Sequence, residues 1–169
     1  MAGLAHAGVG LAAKRFAPDV PLGVLLVGAY AIDIVWGAFV MAGIEHFSGS
    51  GPATTNPWSH GLLMAVVWSG VAALIAQRRR RNFRTSVIIG LLVFSHWVVD
   101  FISHPMTAVF PGNMGLPLFF DGSPTVGLGL WSTQLGVNVG EYGAFIAGLA
   151  IYFLTRVKLQ KEKILHARA

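Results

Sequence analysis

The chain has 169 residues, 54% hydrophobic and 11% charged, with a net charge of +5 and a mean hydropathy of +0.65. A soluble domain carries about 25% charged residues. This composition therefore excludes a fully wetted surface and predicts an all-α integral membrane protein, a single helical domain over residues 1–169. Cysteine is absent, which excludes disulfides, thiolate catalysis and cysteine zinc sites. Nucleic acid is excluded as a partner by where the charge lies. All twelve Lys and Arg fall at 14–15, 78–84 and 156–168, each cluster beside the end of an apolar run, as cytoplasmic anchors at a bilayer surface do.

Residues 3–13 are apolar except for His6. The segment is too short to span about 30 Å of hydrocarbon and lacks the basic n-region of a signal peptide, so it is expected as a short packed helix. Pro18 and Pro21 mark a connector. Residues 22–43 are long enough for a full span, with Asp33 near the middle, where an unpaired carboxylate costs a few kcal/mol. A polar loop rich in Gly, Ser, Thr and Pro follows over 45–57. Trp58-Ser59-His60 opens a third segment that runs to about Ala76, and the arginines at 78–84 close it. The fourth covers about Thr85–His104 and stops at Pro105. Residues 105–134 form a long loop with Asp121 as its one charged residue; loops of that length are often functional. The last span is about Leu135–Leu154, with Asn138 and Glu141 in its first turns. A basic tail from about 155 is expected as a surface helix. The sum is about five segments: four full spans and a short N-terminal helix.

Placing every basic cluster on one side satisfies the positive-inside rule. It predicts a bacterial inner-membrane protein with a cytoplasmic C-terminus. The acids left outside or within the membrane are Asp33, Glu45, Asp100, Asp121 and Glu141. At about 1.5 Å per helical residue, His60 and His104 sit at the outer surface, with Asp100 and His96 roughly 6 and 12 Å deeper. Asp33, Glu141 and His6 also fall in the outer half. Seven polar side chains from five segments thus share one leaflet.

The sharpest local signal is Ser95-His96-Trp97-Val98-Val99-Asp100-Phe101-Ile102-Ser103-His104. On a helix, His96, Asp100 and His104 form one stripe. Imidazole nitrogen and carboxylate oxygen are ligands for a divalent cation such as zinc, and no Lys or Arg at that depth offsets the acids. Taken singly, each residue also has a packing reading. Trp97 and Trp131 read as packing or interfacial residues, and His46 and His166 as surface residues.

His6 on a first short helix, Asp33 on the second, Trp-Ser-His60 opening the third and Ser-His96-Trp-Val-Val-Asp100-(x)3-His104 on the fourth resemble the membrane-bound metal-dependent hydrolase family. That family is regarded as a membrane relative of zinc-dependent phospholipase C and the single-strand zinc nucleases. The resemblance implies that Asp33, His60, His96 and Asp100 hold the main metal, with His6 beside Asp100 at a second and His104 at a third. The soluble enzymes carry a later His-x-x-x-Glu helix, where this chain has Asn138-x-x-Glu141. The expected cofactor is therefore one or two divalent ions, most simply zinc. The expected function is hydrolysis of a phosphoester or related bond in an amphiphilic substrate reached from the outer leaflet, with Glu141 or Asp33 as general base. The competing expectation is a non-catalytic membrane subunit of a larger complex or homo-oligomer, carrying a structural metal, haem or pigment.

Overall fold

Most of the apolar runs become helices in the computed structural model, which describes residues 3–46 and 56–167. Helix α1 (Gly3–Ala12) continues into a 3-10 turn (Ala13–Arg15). The connector follows, and then α2 (Leu22–Ala29) and α3 (Ala31–Met41). Next come α4 (Pro57–His60), α5 (Leu62–Arg80) and α6 (Phe83–Ser103). A short hairpin, β1 (Leu116–Pro117) and β2 (Thr125–Val126), pairs antiparallel with Leu116 opposite Val126. Helix α7 (Gln134–Asn138), a π-helical turn (Val139–Gly143) and α8 (Ala144–His166) form the final run.

Helices α5, α6 and the run Gln134–His166 are each long and apolar enough to cross a membrane. The expected span over 22–43 is different. It is two helices bent by 57° at Tyr30, and only the pair together meets the same criterion. Three helices thus qualify where four full spans were expected, and the count reaches four only if the bent pair crosses as one. Two more expectations change. The basic tail is no separate helix but the continuation of the last span through His166. The loop after Pro105 carries the β1–β2 hairpin and a 3-10 turn at Leu130–Ser132. Of the expected polar loop at 45–57, residues 47–55 lie outside the described residues.

Helix α6 is the centre of the bundle and buries Ile89, Leu92, Val93, His96 and Asp100. Asn82 starts it by accepting the Thr85 N–H at 3.0 Å, a favoured N-cap. Its C-terminus falls before Pro105, because the residue preceding proline is pushed out of helical geometry; His104 has ψ 149°. The α5–α6 hairpin closes tightly at Gly90, where a Cβ would lie 3.0 Å from the Ala73 Cβ and 3.1 Å from the Ser69 carbonyl oxygen. Helix α1 lies against α8 through Gly8 and Gly148; a side chain at either would overlap the other helix's backbone. Such small-residue contacts let helices approach closely without a hydrophobic drive between them. On the outside, Val66, Leu74 and Ile75 of α5 and Ile146, Phe153 and Leu154 of α8 are exposed, an apolar surface suited to lipid.

The loop returns over the end of α6. Leu128 N–H donates to the Phe101 carbonyl at 2.7 Å and Gly129 N–H to the His104 carbonyl at 2.6 Å. Leu63 N–H donates to the Leu118 carbonyl at 3.1 Å, which ties the hairpin to the start of α5. Ala5, Met106 and Trp131 pack beneath, so Trp131 is a packing residue. Trp97 likewise stacks between Phe94 and Phe101, at centroid distances of 6.0 and 5.3 Å.

Candidate metal centre

The break at Tyr30 shapes the centre. A helix end leaves carbonyls without intrahelical partners. The carbonyl of Ala29, the last residue of α2, accepts the His96 Nδ1–H at 2.9 Å. A side chain that enters the i→i−4 ladder is a recognised cause of kinks. The new helix α3 then begins with Asp33 in its first turn, where the helix dipole favours a carboxylate.

Asp33, His60, His96 and Asp100, drawn from α3, α4 and α6, converge. His60 Nε2 lies 3.4 Å from Asp33 Oδ1 and 3.6 Å from Asp100 Oδ2. His96 Nε2 lies 3.6 Å from Asp33 Oδ1 and 3.4 Å from Asp100 Oδ2. His6 stacks on His96 with centroids 3.7 Å apart and brings its Nε2 to 3.2 Å from Asp100 Oδ1. Asp100 thus turns one oxygen to His6 and the other to His60 and His96. His6, His96 and Asp100 are almost fully buried, whereas the side chains of Asp33 and His60 are 16% and 14% exposed. The centre therefore opens on the Asp33–His60 side.

These contacts do not fit simple ion pairs. A carbonyl can only accept, so His96 Nδ1 carries a proton, and in the neutral ring Nε2 is a lone pair facing the carboxylates. The buried Nε2 atoms of His6 and His96 have no hydrogen-bond partner. Charge-assisted N–H···O bonds run at about 2.7–2.9 Å, shorter than every separation here. Four ligand bonds of about 2.0–2.1 Å at tetrahedral angles place the ligand atoms about 3.3–3.4 Å apart. The four His–Asp separations are 3.4–3.6 Å, and the ligand atoms fall into two groups that share His96: His6, His96 and Asp100, and Asp33, His60 and His96, each within 4.8 Å of one another. Among the described residues, the ion pairs of Asp33 and Asp100 are all to histidine, so a divalent cation there would meet two carboxylates without a competing Lys or Arg. These buried His and Asp groups can hold a metal ion.

His104 and Glu141 do other things. The His104 Nδ1–H folds back on the Asp100 carbonyl at 2.9 Å, and His104 joins neither of the two ligand groups found among the described residues. Its place at i+8 lies past the helix end that Pro105 imposes. Glu141 sits in the π-helical turn, and its Oε2 accepts the Ala5 N–H at 2.8 Å. This caps the start of α1 from 136 residues away, while Tyr30 O–H donates to the Gly3 carbonyl. Both tethers hold the turn that carries His6.

Glu45 and Ser59 were not singled out as site residues by the sequence, yet both are buried beside His60. A glutamate in a Gly/Ser-rich loop gives no periodic signal. The available hint is an acid in a stretch with no Lys or Arg between Arg15 and Arg78.

Comparison with family models, with curated proteins and with solved structures returns no match.

Proposed function

We propose that the protein is a membrane-embedded, metal-dependent hydrolase that cleaves a phosphoester or related bond in an amphiphilic substrate reached from the outer leaflet. The carrying observation is the pair of ligand groups joined at His96, one of His6, His96 and Asp100 and one of Asp33, His60 and His96, with buried imidazole nitrogens facing carboxylates without a hydrogen bond. Zinc suits this nitrogen and oxygen set. Asp33, His60, His96 and Asp100 hold one ion; His6 and the second Asp100 oxygen begin a site for another. A bound divalent ion supplies an acidified water, of pKa about 7, and polarises the phosphoryl oxygen. The chain's own part is to orient and exclude. Asp33, the more exposed carboxylate, and His60 lie on the side where a water would enter. His6 and His96, stacked and buried, close the opposite wall. Glu141 holds His6 in position rather than acting as the base. The ordered motif shared with the membrane-bound metal-dependent hydrolase family supports this reading, as do basic clusters consistent with an inward C-terminus. Trp58 and Phe120, with ring centroids 4.8 Å apart, join α4 to the loop and give the outer side an apolar surface for an amphiphile.

One observation favours the alternative of a non-catalytic subunit: His6, His96 and Asp100 are almost fully buried, as suits a closed structural metal site. Cobalt substitution separates the two readings. A catalytic centre shows a five-coordinate cobalt spectrum that changes on adding phosphate, together with turnover of a phosphomonoester or phosphodiester panel in micelles. A four-coordinate spectrum indifferent to phosphate, with no turnover, sinks the hydrolase.

A further inference from the structure

We infer that Glu45 is a positioning residue that sets the tautomer of His60 through Ser59 and thereby controls metal affinity, an inference that rests on the metal centre proposed above. Glu45 is 3% exposed. Its Oε1 accepts the N–H groups of Trp58 and Ser59 at 2.8 and 2.9 Å. Its Oε2 accepts the Ser59 O–H at 2.6 Å, the length of a charge-assisted O–H···O⁻ bond. Ser59 Oγ also lies 2.8 Å from His60 Nδ1. A hydroxyl has one proton. With that proton given to Glu45, Ser59 can only accept from His60, so Nδ1 carries the hydrogen. In the neutral ring, His60 Nε2 is then a lone pair, aimed at Asp33 Oδ1 and Asp100 Oδ2.

The carboxylate, hydroxyl and imidazole form one directional chain, and its direction is what a ligand histidine needs. The same logic operates at His96, where the Ala29 carbonyl fixes Nδ1–H. There the acceptor is backbone and no substitution removes it. At His60 the acceptor is the Ser59 hydroxyl of α4, held in that role by Glu45. Glu45, just past the end of α3, thus bears on the readiness of the centre for metal.

The isosteric Glu45→Gln variant tests direction separately from shape. Its amide oxygen still accepts the two backbone N–H groups. Its amide nitrogen donates to Ser59 Oγ, so the hydroxyl turns its proton to His60 Nδ1 and pushes the imidazole hydrogen onto Nε2. The measurement is competition of the full chain in micelles with a chromophoric chelator for zinc, paired with 15N NMR of the histidine rings. The expected result is a 10–100-fold loss of zinc affinity, the range for partners behind metal ligands, with His60 changed from the Nδ1–H to the Nε2–H form. Ser59→Ala, which removes the link, is expected to lose affinity by a similar factor and serves if Glu45→Gln does not fold. Glu45→Gln or Ser59→Ala binding zinc as tightly as the wild type, with His60 still Nδ1–H, overturns the inference. A wild type that binds no zinc counts against the metal centre itself, while the tautomer of His60 in the metal-free protein still decides the role of Glu45.

Discussion

Asp100→Asn should abolish tight metal binding while leaving the fold intact. Asp100 is the carboxylate that all three converging histidines share, at 3.2–3.6 Å. Asparagine keeps its shape, removes one anionic charge and offers an amide that can donate to the Nε2 of a neutral His96. The metal-free variant is therefore expected to be no less stable than the metal-free wild type. What it loses is the gain on metal addition, which for one site at 100 times Kd is about 2.7 kcal/mol. Thermal unfolding in micelles with and without zinc reads this directly: the wild type shifts upward and Asp100→Asn does not. The affinity loss should exceed the about 10–100-fold typical of partners behind the ligands. An equal zinc-induced shift in both proteins would show that Asp100 is no ligand.

The second large effect belongs to the contact between α1 and α8. At Gly148 any side chain meets the Gly8 backbone, and backbone cannot swing aside as a side-chain tip can. Gly148→Leu should push α1 off α8 and carry His6 away from Asp100. Overpacking of this kind costs about 1–3 kcal/mol, or more where the obstacle is rigid. Gly70 is the matched control, because open space surrounds it; Gly70→Leu should unfold like the wild type. Proteolysis within α1 reports the displacement. Equal stability and equal protection of α1 in the two variants would mean that the glycine contact does not hold the helix.

Sequence pattern revealed part of this arrangement, and the limits have physical causes. The i, i+4 spacing of His96 and Asp100 places them on one helical edge, and both face the centre. The third member of the stripe, His104, falls outside the two ligand groups, because Pro105 ends the helix one residue earlier. Residues 22–43 read as one continuous span because the break at Tyr30 follows neither a proline at the bend nor a change in hydropathy. The distant His96 N–H, bonded to Ala29, supplies a cause that lies 67 residues away in the chain. Glu141 was legible as an intramembrane acid that needs a partner, but its partner is a backbone N–H in α1 and not a cation. Glu45 was hidden for the opposite reason: a polar loop makes an acid look ordinary, and only the folded chain buries it against Ser59.

The convergence of Asp33, His60, His96 and Asp100 makes sense if a divalent ion joins them. X-ray absorption on the purified, metal-analysed full-length protein tests this most directly. The prediction is at least one equivalent of zinc or a like metal, with a first shell of nitrogen and oxygen at about 2.0–2.1 Å, imidazole scattering from at least two rings, and no such signal in Asp100→Asn. A folded wild type that stays metal-free after zinc addition, or holds metal with no imidazole in its shell, would contradict it.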